Sequence, residues 1–205
     1  MSAVITIPSF NATRLAASSR LQQEYFYNTM AHGYPPNRDY LWNIFRSVDK
    51  DGSGFITADE LQQALSNGTW SPFNPETVRL MIGMFDKQNR GSISFEDFGI
   101  LWKYVSDWQS CFRSFDNDNS GNINEMELKN ALSSFGYRVT DEVVSIMIRK
   151  FDRFGRGTIL FDDFIQCCVT LNSLTAAFRQ YDTDGDGVIT IHYEQFLKMV
   201  ISLRM

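Results

Sequence analysis

The chain has 205 residues, 43% hydrophobic and 14% aromatic, ample for a packed core in one domain or a close pair. A net charge of −5 argues against nucleic acid as a principal partner, and no apolar run approaches the length of a membrane-crossing helix. Only two histidines are present, with no Walker loop and no Gly-x-Ser-x-Gly turn, so an enzyme is not expected.

Residues 1–38 begin Met1-Ser2-Ala3-Val4-Ile5-Thr6-Ile7-Pro8, which lacks the charged start, long apolar stretch and cleavage site of a secretory signal. Arg14, Arg20 and Arg38 outnumber Glu24 there, a weak basic tract that reads as a flexible N-terminal extension with at most peripheral membrane contact. Cys111, Cys167 and Cys168 form an odd set, which fits buried, reduced thiols and a cytoplasmic location.

From Asp49 onward the chain repeats itself. Five stretches read Asp-x-x-x-x-Gly-x-Ile, starting at Asp49, Asp86, Asp116, Asp152 and Asp182. This is the calcium-loop pattern of the EF-hand, in which oxygens at positions 1, 3, 5, 7 and 12 surround a hard cation and glycine at position 6 makes the turn. The first loop is complete: Asp49, Asp51, the Ser53 hydroxyl, the Phe55 carbonyl and a bidentate Glu60. The third repeats it with Asp116, Asp118, Ser120, the Asn122 carbonyl and Glu127. Such ligand sets point to Ca2+ at sensor-range affinity, roughly 10⁻⁷ to 10⁻⁵ M.

The other three loops depart from the pattern. The second has Gln88, Arg90 and the shorter Asp97 at positions 3, 5 and 12, and a guanidinium directed at a cation site repels the ion, so little or no binding is expected. The fourth, with Phe154, Arg156 and Leu160 at positions 3, 5 and 9, reads as structural. The fifth offers Asp182, Asp184, Asp186 and the Val188 carbonyl, but Tyr193 holds position 12 and Glu194 comes one residue late. One helical step rotates a side chain by about 100°, so the clamp misses and a shallow, weak site for Ca2+ or Mg2+ is expected.

The first aspartates lie 37, 30, 36 and 30 residues apart. The short intervals, Phe98–Phe115 and Phe164–Tyr181, fit one helix shared by two hands; the long ones hold two helices, with starts at Asn74-Pro75-Glu76 and Thr140-Asp141-Glu142. Position 8 is always isoleucine: Ile56, Ile93, Ile123, Ile159 and Ile189. A β-branched residue there suits a short antiparallel ladder, pairing hand one with two and three with four. The fold class is therefore all-α, five EF-hands with short β ladders between paired loops and shared helices between hands two and three and between four and five. Hand five keeps a free strand edge and an apolar closing helix, with Phe196, Met199, Val200 and Leu203 at i, i+3, i+4 and i+7, which predicts a homodimer through the fifth hands.

The chain resembles the penta-EF-hand family over residues 40–203. The resemblance is carried by Leu61-Gln62-Gln63-Ala64-Leu65-Ser66-Asn67-Gly68-Thr69-Trp70, Trp102-Lys103-Tyr104, Ile148-Arg149-Lys150-Phe151-Asp152 and Phe161-Asp162-Asp163-Phe164-Ile165-Gln166, together with the graded loops. It implies an N-terminal extension over 1–38 and a penta-EF-hand domain over 39–205. It further implies a dimeric calcium sensor and adaptor that takes proline-rich segments of ESCRT-associated and COPII-coat proteins, with a role in apoptosis. Cytoplasmic residence follows, with calcium-dependent recruitment to endoplasmic reticulum exit sites, endosomes or other membranes, and the nucleus as an alternative. The peptide pocket it implies consists of Trp102, Val105, Trp108, Phe135 and the mobile Arg138. The extension departs from the family in offering only Tyr34-Pro35-Pro36 instead of a long Gly/Pro-rich tract.

Trp102, Val105 and Trp108 also step by three along one predicted helix. Such a stripe is either core or a groove; the resemblance favours a groove, and an aromatic-lined one suits a preformed polyproline II ligand. The expected switch is calcium drawing in Glu60 and Glu127 and moving the helices that they begin, with hand three reaching Phe135 and Arg138. Two further readings are a regulatory subunit of a calcium-dependent protease, paired through hand five with another penta-EF-hand chain, and a passive calcium buffer.

Overall fold

The computed structural model describes residues 38–203, so most of the expected extension, including Tyr34-Pro35-Pro36, lies outside the described residues. Helix α1 (Arg38–Val48) buries Leu41, Phe45 and Val48 at the i, i+4, i+7 spacing of one apolar stripe, and takes in Arg38, the last residue assigned to the extension. After the first loop come strand β1 (Phe55–Thr57) and α2 (Ala58–Ala64), whose Thr57 and Glu60 form a reciprocal capping box. Helix α3 (Pro75–Phe85) starts where the Asn-Pro-Glu signal puts it, with Asn74 accepting the Glu76 N–H and proline in the first turn.

Strand β2 (Ser92–Ser94) then leads into α4 (Phe95–Phe115), 21 residues or about 32 Å long, the first shared helix. Hand three follows with β3 (Ile123–Asn124) and α5 (Glu125–Ser134), then hand four with α6 (Asp141–Phe151), begun by the Thr140 cap, and β4 (Thr158–Ile159). The second shared helix is α7 (Phe161–Arg179), and α8 (Tyr193–Ile201) closes hand five. Two antiparallel ladders form as the isoleucines predict: Ile56 faces Ile93 and Ile123 faces Ile159, all four fully buried. Ile189 belongs to no strand among the described residues.

The core runs through the two shared helices. Trp108 of α4 meets Tyr104 at 6.2 Å and Phe164 of α7 at 5.8 Å between ring centroids, while Phe112 meets Phe161 and Phe164 at 5.5 and 5.6 Å. Every one of these pairs is edge-to-face, the orientation the ring quadrupole favours. Hands one and two thus stand on α4, hands four and five on α7, and hand three bridges them through α4 and its own exit helix. The outlier is α8, which has no buried residue.

Candidate calcium sites and an adjoining groove

Each loop turns on a left-handed backbone at two places. Position 6 is glycine, with φ between 74° and 83°, in all five loops (Gly54, Gly91, Gly121, Gly157, Gly187). Position 4 is also left-handed, as Gly52, Asn89, Asn119, Gly155 and Gly185, and Asn is the side chain that tolerates this region best. The curl aims the amides at positions 5 and 6 back at the first aspartate. Asp49 accepts Ser53 N at 3.0 Å and Gly54 N at 2.9 Å; Asp116 accepts Ser120 N at 2.9 Å and Gly121 N at 3.0 Å.

The same first-position bond recurs where the ligand set is spoiled. Gly91 N donates to Asp86 at 2.6 Å and Gly157 N to Asp152 at 2.6 Å. The first aspartate therefore has a structural duty apart from metal, which explains a full set of five aspartates above an incomplete set of sites. Sequence reasoning assigned it only to the ion.

In loops one and three the twelfth residue closes the cage. Glu60 accepts Lys50 N at 2.8 Å through one oxygen and the Thr57 N–H and hydroxyl, at 2.9 and 2.7 Å, through the other. Glu127 accepts Asn117 N at 2.9 Å and Asn124 N at 3.1 Å. One carboxylate oxygen from each of Asp49, Asp51 and Glu60 lies within 4.8 Å of the others, as do those of Asp116, Asp118 and Glu127. Ser53 and Ser120 hydroxyls donate to the Phe55 and Asn122 carbonyls at 3.0 and 3.2 Å, so all five predicted donors of each loop are assembled. Three carboxylates, a hydroxyl and a carbonyl make an all-oxygen set that fits Ca2+. The Thr57 backbone and hydroxyl bonds hold the Glu60 carboxyl below its ordinary value, and the Ser53 and Ser120 bonds do the same for Asp51 and Asp118.

Hand five gathers Asp182, Asp184 and Asp186 alone. Tyr193 and Glu194 are exposed, so no carboxylate from the exit helix closes the site, and Val188 is exposed with its N–H on Asp186 at 2.7 Å. In hands two and four a protein cation from position 2 pairs with the acids at the end of the loop. Lys87 pairs with Asp97 at 2.8 Å, and Arg153 with Asp162 at 2.5 Å and Asp163 at 2.8 Å. Arg90 is not directed into the second loop as the sequence reading supposed; its guanidinium lies 5.0 Å from the Phe55 ring centroid, on the neighbouring loop. Cation–π attraction and the closeness of paired loops override the expected direction.

The stripe on α4 divides in two. Trp102 and Val105 are half-buried and line a cavity of about 350 Å³ with Phe98 and Leu101, faced by Ile44 and Val48 of α1 and by Leu61, Ala64 and Leu65 around α2. Lys50 and Glu60 of loop one stand on its rim. Trp108, Phe135 and Arg138 do not line it. Trp108 is fully buried between Tyr104 and Phe164, Phe135 is 3% exposed against Phe115 at 5.6 Å, and Arg138 is exposed between α5 and α6. Of the five residues that the resemblance implies, Trp102 and Val105 therefore line this cavity, and Trp108, Phe135 and Arg138 lie elsewhere. A three-residue step advances 300°, and six residues from Trp102 the helix has turned its side chain into the α4–α7 contact. The α1–α2 wall of the groove was not foreseen; Leu61, Ala64 and Leu65, at i, i+3, i+4, carried the signal.

These loops, ladders and shared helices define an EF-hand calcium-binding protein. The EF-hand domain pair profile matches residues 38–103 and 105–168, and the EF hand profile matches residues 174–192. Sorcin of Schistosoma japonicum is 52% identical over 157 residues, covering 77% of this chain and 91% of sorcin. Human peflin is 42% identical over 174 residues, covering 83% of this chain and 61% of peflin, so the chain spans about three-fifths of that relative's length. A solved homolog of programmed cell death 6 protein from Leishmania major Friedlin superposes with a TM-score of 0.70 at 33% identity, covering 79% of this chain and 92% of that one. The chain belongs to the penta-EF-hand family.

Proposed function

We propose that the protein is a calcium sensor and adaptor whose groove between hand one and α4 takes a proline-rich segment. One observation carries this reading: Glu60 belongs both to the ion cage of loop one and to the rim of the groove. Calcium fixes Glu60, Glu60 is in the first turn of α2, and α2 supplies one wall. The switch in this reading runs through hand one, where ion cage and groove share Glu60. Apolar walls with a half-buried indole suit a polyproline II helix, which has little conformational freedom left to lose. Family resemblance puts such segments in COPII-coat and ESCRT-associated proteins, reached from the cytoplasm on a calcium signal.

Hand five supports the homodimer. Helix α8 leaves Phe196 46% exposed and Ile201 77% exposed, and Ile189 has no strand partner among the described residues. A two-fold contact would cover both features, and another penta-EF-hand chain presenting the same face would do so equally.

A synthetic Pro-rich peptide titrated with and without calcium tests the groove. Trp102→Ala is expected to weaken the calcium-loaded complex at least tenfold while leaving both strong calcium sites intact. Unchanged peptide affinity would remove the groove. Sedimentation equilibrium of Phe196→Asp, expected to be monomeric where the parent is dimeric, tests the interface.

A further inference from the structure

Hand four ends in two acids that have partners outside its own loop. Asp162 and Asp163, at loop positions 11 and 12, are fully buried in the first turn of α7. Buried carboxylates need charge and donors around them. Arg153 supplies the charge, and the donors come from far away in sequence, from the connector between α2 and α3. Asn67 Nδ2 reaches both Asp162 oxygens at 3.2 and 3.3 Å, the Asn74 backbone N–H donates to Asp162 at 2.6 Å, and Asn74 Nδ2 donates to Asp163 at 2.8 Å. The Thr77 hydroxyl adds a bond to the Asp162 carbonyl at 3.0 Å.

The connector is thereby pinned at both ends. Between the pins, Phe73 is buried with its ring 6.1 Å from that of Phe161, and its carbonyl accepts Gln62 Nε2 of α2 at 2.6 Å. Helix α2 is short, seven residues, with Glu60 in its first turn and the connector directly after its last.

We propose that the Asp162–Asp163–Arg153 cluster is the fixed pivot of the calcium switch, holding the far end of α2 to α7 so that a pull on Glu60 tilts the helix and changes the width of the groove. With the pivot released, α2 would follow its loop without changing its distance from α4. Loop four thus keeps its shape and its acids without metal because those acids serve hand one. This inference rests on the groove reading above, and its test separates the two.

The perturbation is Asn67→Asp, which keeps the oxygen that accepts Thr69 N at 3.1 Å but sets a carboxylate against Asp162. Amide hydrogen exchange in the whole chain is expected to speed up at least tenfold over the connector, residues 66–73, with α7 and the loop-three amides unchanged. Calcium affinity of loop one should stay within threefold, while the calcium-dependent gain in peptide affinity falls below twofold. The double replacement Asn67→Asp with Asp162→Asn restores an amide–carboxylate pair in the reverse sense and should recover both connector protection and the calcium-dependent gain. Unchanged connector exchange in Asn67→Asp would overturn the pin. A loosened connector with an undiminished peptide response would overturn the pivot, as would slowed exchange in the double variant without recovery of the response. If the parent protein itself shows no calcium-dependent peptide binding, the groove reading fails and the pivot falls with it, while connector exchange still reports on the pin.

Discussion

Replacing Glu60 with glutamine tests the link between ion and groove at a single carboxylate. Three donors converge on Glu60: Lys50 N at 2.8 Å on one oxygen, and Thr57 N and its hydroxyl at 2.9 and 2.7 Å on the other. An amide of equal length keeps one oxygen and turns an NH2 towards the remaining donors, so one or two of three charge-assisted bonds go. Bidentate ligation goes with them, and the carboxylates of loop one drop from three to two. Affinity follows ligand charge, so the site should move from sensor range to about 10⁻⁴ to 10⁻³ M, roughly a hundredfold loss or ~2.8 kcal/mol. Calorimetric calcium titration reads this with loop three as internal reference: the loop-one step shifts and the loop-three step stays within threefold. Calcium should then no longer promote peptide binding. A shift below fivefold, or equal weakening of both loops, would refute the assignment of Glu60 as the clamp.

Three further outcomes follow from the geometry. Trp108→Ala removes a fully buried indole from the α4–α7 contact and should lower unfolding free energy by about 3–5 kcal/mol in a urea titration; a stable variant that fails only in peptide binding would return Trp108 to the groove. Asp152→Ala deletes the acceptor for Phe154 N and Gly157 N, at 3.1 and 2.6 Å, and should cost about 1 kcal/mol of thermal stability while calcium stoichiometry by calorimetry stays the same. The carboxyls of Glu60, Asp51 and Asp118 are depressed in the fold, so their contribution to stability is complete above the ordinary carboxylate values of 4.5 and 3.8 and is lost as pH falls through the lower, folded ones. In the calcium-free protein, NMR signals of the Ser53 and Ser120 amides should therefore hold their positions at pH 4.5 and shift only in more acid solution.

Local rules wrote much of this molecule. Loop spacing, the position-8 isoleucines and the Asn74 and Thr140 caps each act within a few residues, and a repeat makes the same statement five times, so the hands, their pairing and the gathering of carboxylates in loops one and three could be read directly from the sequence. What failed was the direction of side chains between elements. Trp102 and Trp108 have the same type and the same helix, yet one lines the groove and the other fills the core, because helical rotation decides which of them meets α7. Arg90 turns onto Phe55 for want of any rule within its own loop.

The sequence by itself determined where calcium could be held, since the ligands of one ion lie within twelve residues and the turn that gathers them is fixed by backbone conformation. Only the tertiary structure decided what the spent loops are for. Asp162 finds its partners 95 and 88 residues away, at Asn67 and Asn74, and burial in the contact between hands turns a failed ion ligand into a fastening. No local pattern announces such a contact, because the donors that, with Arg153, offset the cost of burying these carboxylates come from segments that meet them only once the chain has folded.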